Sequence, residues 1–569
     1  VKKLLAVLLA IFLWGSAADL AMAQDSMKPL VTVSFSGYDK LFSNIGAIGE
    51  MGSNPDLGKG LEMMLKLMTQ GKGLSGLDTT RPWGAVVLTD GQDFVAYGFL
   101  PVTNLSKLLD LFKDNPQFGD LENNNGVYRL QFAGSPDSFF IQQKNKWAVI
   151  TNNESDLAKA PSDPTPLLGN LPERYDLAVQ ISIKNAPAMY RDVFLAQIQA
   201  GAQVGMEQRP DESDEDYALR SNMGKQAMDQ ASLFAKELDE VLLGWKVDTK
   251  NKTTYLELEA TAQPGGELAK QFAQVKKGKT RFGGFLDSKA TINGVMVNEL
   301  SDNDVAQVQA SLVELRKRVE KELDNQGLDD DQTKLSKQVL ADAADILEKT
   351  LAAKKLEVGL LIDFQAKNLS ALAAASIVDG NKINSMLKSL VAQEVKNAPD
   401  IEKLIKLDAE VYEGIHFHSV AIPTDENTQP LFGDHFDIVL GVANDALYAA
   451  VGNDAVKQLK DVIAKSKTAG SKDVLPLQVS VATGSIAKFT ADMAEDEETK
   501  ERATMFAEAM EKTKGKDHIF LTSTPVPNGI RIRVEAEEGL LVLLGSLGQM
   551  MNGEEPAGTE EPAETEEKQ

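Results

Sequence analysis

Cysteine is absent from the 569-residue chain, and histidine occurs only four times. The first absence removes disulfide scaffolds, cysteine-ligated zinc, iron–sulfur clusters and any thiol nucleophile. Positive charge is scarce as well. Lys and Arg number 59 against 84 Asp and Glu, a net charge of −25, and there is no basic run. Such a chain offers no electrostatic footprint for nucleic acid. Aromatic residues make up 6%, which is thin for an enzyme that grips polysaccharide. No Walker A sequence and no G-x-S-x-G nucleophile elbow occurs. What is present is a hydrophobic content of 43%, enough for large cores and at odds with global disorder. Length alone suggests roughly three or four domains.

The first residues carry the most specific signal. Lys2 and Lys3 form a positive start, Leu4 to Trp14 is an apolar run, and Ala21-Met22-Ala23 supplies a small-x-small cleavage pattern. Residues 1–23 therefore read as a signal peptide, with cleavage between Ala23 and Gln24 and an exported, periplasmic or extracellular product. The apolar run falls short of the roughly 20 residues that cross a bilayer. The later stretch Gly539 to Met551, GLLVLLGSLGQMM, is apolar but also short, so no transmembrane anchor is expected after cleavage.

Internal similarity comes next. WAVITNNESDLAKA from Trp147 parallels LYAAVGNDAVKQL from Leu447, each a strand, an Asn-containing turn and a helix. LAVQISI from Leu177 parallels LPLQVSV from Leu475, and NGVYRLQF from Asn125 parallels EGIHFHSV from Glu413. The offsets stay between about 288 and 300 residues, in one order along the chain. This predicts two homologous halves, residues 24–280 and 281–552. Residues 553–569 hold seven Glu, two Pro and no large apolar residue, and are predicted to be a disordered acidic tail. The expected fold class is α+β: antiparallel sheets with helices packed on one face, built from repeating βααββα units with inserted three-stranded meanders.

Helical signals are of the ordinary core-facing kind. Val305, Val308, Leu312, Leu315, Val319 and Leu323 step by three and four along one stripe. Ser213 with Asp216 reads as a helix start, so the acidic run Asp211–Asp216 is a capped helix N-terminus rather than a calcium loop. Asp329-Asp330-Asp331 reads the same way.

GLDTTRPWGAVVLTDGQ (Gly76–Gln92), the following YGFLPVTNLSKLL, LPERYDLAV, and QRPDESDEDYALR ahead of LGWKVD together resemble a family of internally duplicated secreted bacterial proteins with no assigned activity. The resemblance spans nearly the whole chain after residue 23. It implies export and duplication, and it implies no catalytic residue.

Candidate chemistry is sparse. His416 and His418 lie two apart on an expected strand, so they share a face, and His435 beside Asp434 and Asp437 begins the next strand. Were the hairpin to close around residues 423–433, three imidazoles and a carboxylate could meet as a zinc or copper site. The alternative is histidines on an exposed strand face, since Tyr128 and Leu130 occupy the matching positions of the first half. Gly71-x-Gly73-x-x-Gly76 matches a dinucleotide fingerprint in form but follows a helix, so it reads as a helix stop and turn. No cofactor is expected. The three tryptophans beyond Trp14 (Trp83, Trp147 and Trp245) fall at strands and suit core packing.

Three functions compete. An exported non-enzymatic scaffold or interaction module, docking a protein partner in the envelope, leads. A carrier holding an apolar ligand between two similar halves comes second; Met63, Met64 and Met68 could line its pocket or simply fill core gaps. An exported hydrolase with an unrecognised site is third.

Overall fold

In the computed structural model, residues 27–51, 56–69, 71–111, 113, 118–132, 138–210, 212–287, 289–325 and 329–542 are described. The proposed signal peptide with Ala21, Ala23 and Gln24, the acidic tail and most of the Gly539–Met551 stretch lie outside them.

The first half begins β1 (Lys28–Phe35), α1 (Tyr38–Met51), α2 (Leu57–Met68), β2 (Trp83–Thr89) and β3 (Phe94–Pro101). Four strands follow, β4 (Phe118–Asn124), β5 (Val127–Phe132), β6 (Ser138–Lys144) and β7 (Trp147–Thr151). After short helical turns come β8 (Leu177–Ser182), α3 (Ala188–Met206), α4 (Asp214–Glu237), β9 (Leu238–Asp248), β10 (Thr253–Ala262) and α5 (Glu267–Gln274). A short strand β11 (Gly278–Thr280) leads into the second half.

There the order is β12 (Ile292–Glu299), α6 (Asp302–Asn325), α7 (Asp330–Ala352), β13 (Lys355–Asp363), β14 (Ser370–Ser376) and α8 (Asn381–Asn397). Next come β15 (Ile405–Tyr412), β16 (Ile415–Pro423), β17 (His435–Val442), β18 (Ala446–Gly452) and α9 (Ala455–Ala469). The chain closes through β19 (Lys472–Val474), β20 (Leu477–Ala482), α10 (Thr483–Met493), α11 (Glu497–Glu511), β21 (His518–Val526) and β22 (Gly529–Glu537).

Twenty of these strands form one sheet, and every pairing is antiparallel. From the β10–β22 pair outward, one arm runs β10-β9-β8-β1-β2-β3-β7-β6-β5-β4. The other runs β22-β21-β20-β12-β13-β14-β18-β17-β16-β15. The two arms therefore meet at a seam, β10 against β22, in register from Thr253↔Glu537 to Thr261↔Gly529. Strands β11 and β19 pair separately.

The result is a mixed α+β fold with a large antiparallel sheet and peripheral helices. Two details differ from expectation. Each inserted meander has four strands, not three. The missed strand of the first half, β4, reads FGDLENN, and its polar, Asn-rich sequence gives no apolar alternation. Its hairpin is fixed by Asn125-Gly126, both at positive φ, the requirement of a two-residue type I′ turn. Nor do the helices keep to one face. α9 buries Leu459, Val462 and Ile463 with Val295, Leu361, Leu372 and Val439 on one face of the sheet. α5 buries Leu268, Ala269 and Phe272 with Ala260 and Ile530 on the opposite face.

The apolar cores sit at the wings. Val86, Val95, Tyr97, Phe99, Trp147 and Val149 form one, covered by the segment containing Leu157 and Ala160. Phe282, Phe285, Val295, Leu361, Phe417 and Tyr448 form the larger second core under α9. No described helix is long and apolar enough to cross a membrane.

Candidate binding face at the seam

The seam departs from the usual rule that a sheet buries its apolar side. β10 reads TTYLELEATA and β22 reads GIRIRVEAE, so apolar and charged residues alternate on both. Alternate residues of a strand point to opposite faces. Glu257 and Glu259 pair in register with Arg533 and Arg531 on one face; Leu256 and Leu258 pair with Val534 and Ile532 on the other.

The ionic face is the covered one. Glu257 is 3% exposed. Arg533 donates to its Oε1 at 2.8 Å from Nε and 2.5 Å from Nη2, and the Tyr175 hydroxyl donates to its Oε2 at 2.5 Å. Arg531 donates to Glu259 at 3.0 and 2.7 Å, and Arg174 bridges Glu259 and the Tyr175 oxygen. The Arg533 guanidinium also lies 4.0 Å from the centre of the Tyr255 ring. Gly244 makes room for this network, because a Cβ there would come within 2.4 Å of the Tyr175 ring.

Burial pushes the Glu257 carboxyl up, but the Tyr175 hydroxyl and Arg533 outweigh it and hold the carboxyl below its ordinary value. Tyr175 is pushed well above its usual value by burial and by Glu257. The face thus holds a stable carboxylate and a neutral phenol, a structural pairing rather than an acid–base pair poised near neutrality. A cavity of about 160 Å³ beside it is lined by Asn170, Arg174, Gln180, Glu240 and Glu259.

The opposite face is apolar and open. One cross-strand row runs Leu360, Gly294, Val479, Leu521, Val534, Leu256, Trp245, Leu177, Phe35 and Trp83. Beside it Ile532, Leu258, Leu243, Val179 and Val33 form a second row. Towards the β1 wing the rows are buried: Phe35 stacks on Trp83 at 3.9 Å, and Val33 is 4% exposed. At the seam they are not. Leu243 (48%), Leu256 (51%), Leu258 (45%), Ile532 (37%) and Val534 (43%) all face solvent. These five side chains are cross-strand neighbours, so their exposed surfaces join in one apolar strip rather than standing as single exposed leucines.

The histidines fall elsewhere. His418 is buried on β16, its Nε2 against Asn384 Oδ1 at 2.8 Å, while its Nδ1 accepts the Asp408 backbone N–H. Both ring nitrogens are occupied, and burial lowers its pKa. His416 is held by Asp408 Oδ1 at 2.8 Å, and Lys388 takes the other carboxylate oxygen. His435 pairs with Pro423, seven residues along β16 from His416, or about 23 Å of strand. His435 therefore does not join the other two. Among the described residues no group of three or more His, Asp or Glu could hold a metal ion.

Other sequence candidates resolve into structure. Gly71 donates its N–H back to Lys66 O and, with Gly73 and Gly76, has positive φ, the stop and turn after α2. Ser213 caps α4 by accepting from Asp216 N, and Asp329 with Gln332 forms a full capping box on α7. Met63 and Met64 are exposed on α2, not packed in a core. Trp147 is buried under the Arg81 guanidinium, whereas Trp245 belongs to the apolar row. The seam leucines are not among the candidates the sequence motifs single out, yet the strict alternation of β10 and β22 is a visible signal of two unlike faces.

Compared with family models, curated proteins and solved structures, the chain matches none.

Proposed function

We propose that this is an exported, non-enzymatic binding protein that holds an apolar ligand between two duplicated halves. One observation carries the reading: the exposed strip of Leu243, Leu256, Leu258, Ile532 and Val534 where β9 and β10 of one half meet β22 of the other. The matching strand orders of the two arms support an origin by duplication, and the basic start, apolar run and Ala21-x-Ala23 support export.

The size of the strip favours a small ligand. From β9 to β22 it spans two strand spacings, about 10 Å. That suits an acyl chain or fused-ring lipid, whereas a stable protein–protein interface covers about 800 Å² per partner.

Native mass spectrometry of protein purified from its own envelope tests this. The expected result is a co-purifying apolar species that is lost in the Leu258→Asp/Ile532→Asp variant. An apo mass for both proteins overturns the reading. Recovery of a stoichiometric protein in place of a small molecule replaces it with the scaffold function.

A further inference from the structure

Strand β15 ends the second arm of the sheet, and among the described residues it pairs with β16 alone. That pairing slips midway. Between Lys406↔Ser419 and Glu410↔Phe417, β15 sets Leu407, Asp408 and Ala409 against His418 by itself. The excess makes a bulge, with Asp408 in the left-handed region at φ 47°. A bulge leaves backbone groups without ladder partners, and here the His418 ring takes one of them: its Nδ1 accepts the Asp408 N–H at 3.2 Å.

His416 and His418 thus both hold Asp408, but they answer a proton differently. Lys388, and after it His416, holds the Asp408 carboxyl below its ordinary value, so this side chain is ionised and only accepts. His416 Nδ1, 2.8 Å from Asp408 Oδ1, is therefore the donor, and a neutral or a charged ring serves equally. His418 Nδ1 needs a bare lone pair. Its single proton then lies on Nε2 and donates to Asn384 Oδ1 of α8 at 2.8 Å. A second proton, on Nδ1, would set one N–H against another and leave the Asp408 amide without an acceptor.

We propose that buried His418 is an acid-operated latch: its protonation releases the Asp408 amide and frees the β15 bulge from β16, while His416 keeps the Asp408 side chain tethered. The charged groups facing the ring are few. α8 brings Lys388, β15 brings Asp408 and β16 brings His416, whereas β17 opposes His418 with Leu440. Glu410 lies on the other face of β15 and pairs with Lys460 of α9. Burial pushes the His418 imidazole below its ordinary value of 6.5; Asp408 raises it, and Lys388 and His416 lower it further. The latch is therefore fully closed above 6.5, and its hold is lost as pH falls from there through the lower folded value. A bulge is one of the devices that blunt a sheet edge, so release uncovers the regular strand β16 behind it. None of this depends on the apolar strip at the seam.

The scarcity of histidine makes the test direct, since the full chain carries only four imidazoles for nitrogen NMR to resolve. His418, assigned by its loss in His418→Asn, is expected as the Nε2–H tautomer with a titration midpoint below 6.5. Hydrogen exchange over residues 404–412, corrected for the intrinsic rate at each pH, should lose protection severalfold between pH 7.5 and pH 5. His418→Asn supplies an oxygen acceptor that does not titrate and should show equal protection at both pH values. His416→Asn should keep the drop. An Nδ1–H tautomer at His418, constant protection in the unmodified chain, or a drop that survives His418→Asn or vanishes in His416→Asn overturns the proposal. If His418→Asn does not fold, His418 is assigned by variants of the other three, and the unmodified chain decides. Protection lost in step with the His418 titration supports the latch, and protection lost out of step overturns it.

Discussion

The two faces of β10 and β22 are made by the same eighteen or so residues of strand, yet they reach opposite ends. On one face Glu257 is buried, Glu259, Arg531 and Arg533 are half-buried, and the four pair almost completely. On the other, Leu256, Leu258, Ile532 and Val534 are left in water. Packing at each wing follows the ordinary economy of apolar burial, whereas the seam between them inverts it. The inversion teaches that joining the halves is done by charge-assisted hydrogen bonds and backbone pairing. Apolar surface at the junction is thereby left free for something else.

The largest effect should come from the ionic face. Arg533→Ala strips Glu257 of its main partner and leaves a carboxylate that is 3% exposed with the Tyr175 hydroxyl and the more distant Arg531 guanidinium at 3.8 Å. Breaking a buried pair in this way costs about 3–5 kcal/mol. Arg533 itself is 35% exposed, which places the expected loss at the lower end. Urea denaturation measures it. The double variant Arg533→Ala/Glu257→Gln should recover much of the loss, since it removes the stranded charge. A single-variant loss below about 1 kcal/mol would mean that the seam is held by backbone pairing alone.

A smaller effect separates the faces by pH. Glu257 is held below its ordinary carboxyl value, so its contribution is fully present above the unfolded pKa near 4.5. As pH falls from there through the lower folded value, the unfolded state binds more protons and the contribution is lost. Urea midpoints between pH 6 and pH 3 should therefore drop less steeply in Glu257→Gln than in the unmodified chain. Other carboxylates held low by partners, such as Asp408 and Asp287, remain in both proteins, so the difference between them is the readout. Identical slopes would show that Tyr175 and Arg533 do not stabilise the charged form. Nile red binding to the apolar face involves no titrating group and should stay level over pH 7 to 5.

Much of the architecture was legible in the sequence because it is written in local alternation. The parallel between Asn125 and Glu413 falls on the β5 and β16 hairpins, that between Trp147 and Leu447 on β7 and β18, and that between Leu177 and Leu475 on β8 and β20. β4 escaped because FGDLENN is held by its neighbour and a type I′ turn, not by its own apolar pattern. The histidine cluster failed for a different reason. Sharing a strand face is a local fact, but convergence depends on register, and register puts His435 opposite Pro423. The seam shows the limit most clearly. LELE and IRIRVE announce two unlike faces, yet which face is covered depends on Tyr175 and Arg174, about 80 residues upstream of Glu257 and Glu259. Apolar-in, polar-out is a default for half-covered antiparallel sheets, and nothing local to these strands cancels it.

The smallest stability effect should come from the apolar face of the seam. Ile532→Thr keeps a β-branched residue on β22 and removes apolar surface that is already 37% exposed. A surface change of this kind should shift the unfolding free energy by no more than about 0.5 kcal/mol. The same substitution at Val295, which is 2% exposed in the core under α9, would cost severalfold more. If Ile532→Thr destabilises the chain as much as Val295→Thr, the strip is structural core closed by a part of the protein that its exposure does not reveal. If it is neutral, while retention of the apolar ligand falls, the exposed isoleucine at this position serves binding and not folding.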